Sequence, residues 1–430
     1  MIAAFIPYII VMLVFLFGAV WVGAALGLSG FWAIFSTLGL SRSLVVTGSQ
    51  AWGMSTSYGL VCLPLFILMG EILHQGKFIE AMYTKATSIL SGLPGGLIQS
   101  NIAVCTIFAA CSGSSIASAA TIGSVAYSEQ RQRGYDKALI LGSIAGGGTL
   151  GILIPPSVIM ILYGALVGES IGRLFIGGVI PGLIIAAMFA IYIVIAVKRN
   201  KNLAPSTEKV TLKRRVLAAA SLWQAALLIL IILGGIYGGV ATPTEVAAVG
   251  AFAALIMTVL SRKLSGRGLT EALMSTVKTT SMVIFITVGA KLFSTALVHY
   301  NIPSALTDGL SAMGLGSIGI LVIITIMYAI LGMFIDGVSM MVLTLGFVAP
   351  IMVFAGFDMV WFGVYLTILI EMSLITPPVG LNLYVLQGIS GEPLMTVAKG
   401  AMPFIVPLFI MVILMIFFPQ LALWLPGLMM

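Results

Sequence analysis

Apolar stretches of membrane-crossing length follow one another along this 430-residue chain, separated by short polar or basic segments. A helix needs about 20 apolar residues to cross a hydrocarbon core, so the pattern predicts a bundle of spanning helices. Two of the stretches are interrupted. Pro155-Pro156 and Pro377-Pro378 sit inside otherwise apolar segments, 222 residues apart. Proline lacks an amide proton and clashes with the preceding turn, so each pair breaks its helix. In a bilayer such a break is tolerated where its freed carbonyls face protein or a wet cavity. Paired breaks in corresponding halves point to a transporter's binding site.

Composition closes off a soluble domain: 60% of the residues are hydrophobic and 8% are charged. The first apolar run, 2–28, has no basic leader and no small-residue cleavage site, and is expected to be a retained span. The formal charge of +7 lies between the spans, which suits loop topology and not nucleic-acid binding. Cys62, Cys105 and Cys111 form no metal or disulfide pattern and are expected to be packing residues. The 49 glycines suit closely packed membrane helices.

The 222-residue offset extends past the prolines. Gly134-Tyr135-Asp136 matches Gly356-Phe357-Asp358, and Gly178 with Pro181 matches Gly400 with Pro403. One residue off that register, Thr121-Ile122-Gly123 matches Thr344-Leu345-Gly346. The loop before the first break carries Arg131, Arg133 and Lys137, whereas its counterpart carries no Lys or Arg. Cytoplasmic loops collect positive charge, so the two loops lie on opposite sides and the repeat is inverted. A span count agrees. Segment 198–215, with seven basic residues, and the cluster Arg262, Lys263 and Arg267 both fall inside, as does Lys399. The N-terminus is then cytoplasmic.

The resulting expectation is an all-α polytopic membrane protein with two inverted repeats, each holding a re-entrant hairpin and a discontinuous helix. The first repeat is 1–215, with a hairpin at about 95–127 and a broken helix at about 138–166. A connecting helix covers 216–242. The second repeat is 243–430, with a hairpin at about 316–354 and a broken helix at about 361–387. Segments 74–90 and 300–313 are short and amphipathic, and read as arms lying at the interfaces with membrane lipids.

The hairpin tips and the breaks carry the candidate chemistry, because both expose carbonyls and half-helix ends. At the first tip Ser112, Gly113, Ser114 and Ser115 offer hydroxyl and carbonyl oxygens. At the second, Asp336 adds a carboxylate beside Gly337 and Ser339. Opposite them stand Gly148 and Thr149 with Pro155, Pro156 and Ser157, and Thr376 with Pro378, Gly380 and Asn382. Oxygen ligands without thiols or imidazoles favour a hard cation such as Na⁺. Ser115, Thr149, Ser157 and Asn382 are candidates for holding a substrate. The plainer readings are a proline kink and close packing of small residues; the polar break on both sides of an inverted copy argues against the first. Glu71, Lys291 and Glu371 are further charged residues within spans, where charge is expensive. His74 and His299 are expected at the interfaces.

The order GSSIASAATIG, GGGTLGILIPPS and ITPPVGLNLYV resembles the large membrane subunit of TRAP (tripartite ATP-independent periplasmic) transporters, over nearly the whole chain. The resemblance implies a Na⁺-driven secondary transporter with an elevator movement of a hairpin-containing transport domain against a scaffold. It also implies two partners: a small membrane subunit of four helices, and a periplasmic substrate-binding protein that delivers an organic anion. Such an anion would be a carboxylate such as a C4-dicarboxylate, a sialic acid or another sugar acid, and the location would be a bacterial inner membrane. The first half-repeat begins almost at Met1, so the chain is expected to be of the unfused type. Carried over, the ion sites are the Ser112–Ser115 tip with the first break, and the Asp336–Ser339 tip with Thr376–Asn382. A self-sufficient Na⁺/dicarboxylate symporter of similar architecture is the nearest alternative. No P-loop pattern is present, and no GxSG motif supports an intramembrane hydrolase.

Overall fold

The computed structural model describes residues 2–90, 92–205, 218, 220 and 222–429. Residues 206–215 of the basic 198–215 segment and the first part of the 216–242 helix therefore lie outside the described residues. All regular structure among the described residues is helical, and seven of the helices are long and apolar enough to cross a membrane.

The chain begins with α1 (Ile2–Phe17), α2 (Val22–Ser55), α3 (Tyr58–Gln75) and α4 (Phe78–Leu90). The expected single span over 2–28 is two helices. Ala19 adopts a left-handed φ of 58°, and the amides of Ala19 and Val20 bond back to Leu16 O and Phe15 O, closing α1 in a C-terminal turn. Inside α2, Gly39 takes φ 75° and ψ 172°, which splits the helix into two pieces. A hairpin follows, α5 (Leu97–Ser112) and α6 (Ser115–Gln132), and then the broken helix α7 (Lys137–Thr149) and α8 (Val158–Val167). Helix α9 (Ile171–Arg199) closes the first half.

The second half repeats this order: α10 (Trp223–Tyr237), α11 (Pro243–Leu260), α12 (Gly266–His299) and α13 (Ile302–Ala312). The second hairpin is α14 (Ser317–Gly332) with α15 (Gly337–Phe354), and the second broken helix is α16 (Met359–Leu374) with α17 (Leu381–Ser390). Helices α18 (Leu394–Phe417) and α19 (Gln420–Gly427) end the chain. Corresponding helices start within a few residues of the 222 offset except α12, which begins 14 residues ahead of the register set by α3. Both amphipathic arms, α4 and α13, are present as short helices. The polar side chains just before each hairpin's return helix and each broken helix cap them: Ser114, Asp136, Asp336 and Asp358 all accept backbone N–H groups.

Contacts give the relation between the halves. Helices α3 and α12 are counterparts, and they run antiparallel: Ser275 Oγ donates to Glu71 Oε1 at 2.7 Å, while Gly268 lies against Gln75. The copies are therefore inverted. The walls are exchanged between them: α2 runs beside α12, with Gly23 on Ile286 and Gly30 on Phe293, and α3 runs beside α11, with Met69 on Gly250. The helices that lead into the breaks are the most enclosed. Residues 139–149 of α7 and 359–371 of α16 are all buried, as befits helices that are apolar all round. Gly142 meets Gly400 backbone to backbone; a Cβ on Gly142 would stand 1.9 Å from Gly400 O.

Candidate functional site

Each break is the product of local sequence. After Thr149 the chain tightens into a 3₁₀ turn, Leu150–Ile152, and both Pro155-Pro156 and Pro377-Pro378 are cis. Ser157 restarts the first helix by accepting Met160 N at 3.2 Å, and its hydroxyl donates to Ile152 O. In the second half Gly380, at φ 44°, precedes α17. Few side chains adopt that backbone region, which glycine enters at little cost.

Each hairpin tip is seated on the break of its own half. Val158 N donates to Gly113 O at 3.5 Å, and Val379 N donates to Met333 O at 3.2 Å. Gly113 has φ 64°, and a Cβ there would stand 2.9 Å from Pro156 O; a Cβ on Gly151 would stand 2.7 Å from Ser114 O. At tip 1 Ser112 Oγ lies 3.0 Å from Ser118 Oγ, and Ser118 Oγ donates to Ser114 O at 2.8 Å. At tip 2 Asp336 Oδ1 accepts from Val338 N and Ser339 N, each at 3.1 Å.

Between the tips and the wall formed by α3 and α12 lies a cavity of about 1500 Å³. Ser112, Gly113, Ser114, Ser115, Asp336, Gly337 and Ser339 all line it. The other expected residues stand behind the tips and do not line it. Gly148 packs on Ala119, and the Thr149 hydroxyl donates to Gly146 O. Pro155 and Ser157 are buried, and Thr376 Oγ1 donates to Met372 O. Pro378 is exposed, and Gly380 packs on Leu383. Asn382 is fully buried and joins the halves: its Nδ2 donates to Ser115 Oγ at 2.8 Å, while its Oδ1 has no partner. The breaks reach the cavity instead through Ile152, Val158, Leu374 and Leu381.

The far wall supplies groups that sequence reasoning missed. Ser275, Lys278 and Thr279 face the cavity with Glu71 and with His74, which was expected from the sequence at an interface. His74 Nδ1 lies 3.0 Å from Thr121 Oγ1, which links α3 to the first hairpin. The run Ser275–Thr280 is a polar patch inside an apolar helix, and that interruption was the available signal. His299 pairs with Thr37 Oγ1 at 2.9 Å.

Helices α6 and α15 both begin at the cavity, so two positive helix ends converge on it. Around those ends the tips offer hydroxyl, carboxylate and carbonyl oxygens, a donor set for hard cations. Among the described residues no group of three or more His, Cys, Asp or Glu side chains gathers as a transition-metal site. Cys62, Cys105 and Cys111 are free and buried.

Two hairpins seated on two broken helices, with a cavity between inverted halves that both tips line, define a membrane transporter. The chain belongs to the family described as "Tripartite ATP-independent periplasmic transporter, DctM component", which it matches over residues 9–421. It is 35% identical to the C4-dicarboxylate TRAP transporter large permease protein DctM of Pseudomonas aeruginosa, over 94% of each chain. It is 31% identical to the sialic acid TRAP transporter large permease protein SiaM of Vibrio cholerae, over 96% of each. The ectoine TRAP transporter large permease protein TeaC of Halomonas elongata is 33% identical, over 94% of each. The crystal structure of the Alcanivorax borkumensis YdaH transporter matches with a TM-score of 0.64 at 12% identity, covering 90% of this chain and 89% of that one. At that identity the likeness is one of fold.

Proposed function

We propose that this TRAP large permease imports an organic carboxylate by Na⁺ symport across a bacterial inner membrane. The substrate class is that of a C4-dicarboxylate, a sialic acid or another sugar acid. The single observation that carries the reading is the convergence of both hairpin tips on one cavity. The helix N-termini behind Ser114 and Asp336, together with Lys278 on the opposite wall, suit a carboxylate. The oxygens of Ser112–Ser115 and Asp336–Ser339, with the carbonyls of the two breaks, are the proposed Na⁺ ligands. Hairpins and broken helices would move as one body along the α2, α3, α11 and α12 wall, in an elevator movement. Importing two Na⁺ with a monoanion carries one net positive charge inward, worth about 2.3 kcal/mol per 100 mV of membrane potential.

The partners we infer are a small four-helix membrane subunit and a periplasmic protein that delivers the anion. Uptake is to be measured in proteoliposomes containing all three proteins, with an inward Na⁺ gradient imposed or omitted and each protein left out in turn. Uptake that needs Na⁺ and all three proteins is expected. Uptake by this chain alone would identify a self-sufficient symporter, and Na⁺-independent uptake at equal membrane potential would remove the ion sites.

A further inference from the structure

Glu371 is used by neither tip. Its side chain is fully buried, and neither carboxylate oxygen has a hydrogen-bond partner. It stands on α16, one turn before the second break. Ile370 and Leu374 on the same helix line the cavity, and Ser373 packs on Gly332 of the second hairpin, whereas Glu371 does not reach the cavity. The position 222 residues earlier is Thr149, a neutral hydroxyl satisfied by Gly146 O. An ionised carboxylate without partners in such a setting is among the most costly groups a protein can bury. A protonated one has an O–H to donate. Its helix already satisfies polar side chains in that way: Thr367 donates to Gly363 O, Ser373 to Ile370 O, and Thr376 to Met372 O.

The charged and titratable groups on the packed elements leave Glu371 alone. Helix α7 carries Lys137, which is paired with Glu392. Helix α9 carries Arg173 and Tyr192, with Lys198 and Arg199 at its far end, α18 carries Lys399, and α17 carries Tyr384. Tyr163 of α8, Tyr328 of α14 and Tyr365 of α16 bond Met359 O, Thr344 and Thr325 respectively. Asp336 caps α15.

We propose that Glu371 is a proton-binding site of the carrier. It holds a proton while hairpin 2 is seated on its break, with the acid O–H buried away from the cavity. When the two separate, that O–H bond breaks, the proton passes to water entering from the cavity, and the carboxylate is left hydrated. This goes beyond Na⁺ coupling and does not need it.

The test is infrared spectroscopy of the full chain in lipid at about pH 8, where exposed carboxyls with ordinary values near 4 are ionised. One protonated-carboxyl carbonyl band is expected in the wild type, with complete loss in Glu371→Gln and retention in Asp336→Asn. Should Glu371→Gln fail to fold, ¹³C-glutamate labelling of the wild type must shift the same band. Uptake by the wild type should depend on pH, and that dependence should be lost in Glu371→Gln. A wild type without the band, or an unchanged pH profile in Glu371→Gln, overturns the proposal. The band is read without uptake, so its absence would leave Na⁺ symport standing, and failure of Na⁺-dependent uptake would leave the band in place.

Discussion

The two halves use one backbone device at two settings. In the first, Gly151–Ser157 is buried throughout and the tip is closed down on it, glycine against proline carbonyl. In the second, Pro378 and Phe334 are exposed and the tip rests on its break more openly. Their chemistry differs too. The first tip is neutral, built from serines that bond one another, whereas the second carries Asp336, with Glu371 behind it. Inversion copies the path of the chain and leaves each copy free to choose its charge and its closure. Under the Na⁺ reading proposed above, the neutral tip and the anionic tip would hold their ions with unequal affinity.

The largest test of that difference is at the glycines. Gly113→Ala puts a side chain at φ 64° and 2.9 Å from a backbone oxygen that cannot retreat. Left-handed strain of about 1–3 kcal/mol and overpacking of about 1–3 kcal/mol should together abolish uptake and lower the melting temperature sharply. Gly337→Ala carries no left-handed strain, but its Cβ would stand 2.3 Å from Cγ2 of the buried, β-branched Ile370, so overpacking of about 1–3 kcal/mol acts alone and the loss of uptake should be smaller than in Gly113→Ala. Equal losses would erase the contrast between the tips.

Next comes the tie across the halves. Asn382→Ala leaves the buried Ser115 hydroxyl without its donor and should cost about 1–3 kcal/mol in thermal or denaturant unfolding. Adding Ser115→Ala to that variant should cost little more, since both ends of the bond are then gone.

Asp336→Asn addresses charge alone, because asparagine caps a helix about as well as aspartate. Folding should hold, while the Na⁺ concentration for half-maximal uptake rises about tenfold, equivalent to about 1.4 kcal/mol. Ser114→Ala at the neutral tip should show the reverse balance: a cap loss of about 1 kcal/mol in stability and a smaller change in Na⁺ requirement.

The smallest effect lies at the start of α7, where an ion pair reaches across to the second half; the matching position on α16 is Met359, which carries no charge. Lys137 Nζ lies 2.8 Å from Glu392 Oε2 and holds that carboxyl below its usual range. A lowered value means that stabilisation is present at neutral pH and is lost as acid protonates Glu392. Glu392→Gln should lower the melting temperature slightly at pH 7 and not at all in acid.

Much of this plan could be read from the chain. The 222 offset, the prolines and the basic loops located both hairpins, both breaks and both arms, since helix breakers and loop charge act locally. The division of the 2–28 run escaped because it depends on Ala19 taking a left-handed turn, for which alanine gives no sign. That Asn382 would bond Ser115 was invisible for a different reason: the two are 267 residues apart and meet only once both halves are packed. The depth of Glu371 escaped likewise, because a helix tells which face is apolar and not which neighbour will cover it.

The close contact of Gly142 with Gly400 has a consequence in time. Gly400 leaves the ribosome 258 residues after Gly142. At about 5–20 residues per second that is a wait of roughly 13–52 s. Throughout it, α7 stands in or beside the bilayer with the groove that will receive α18 still unfilled. The newborn first half is thus an unfinished surface, and whatever shields it until its partner arrives is part of how this transporter is made.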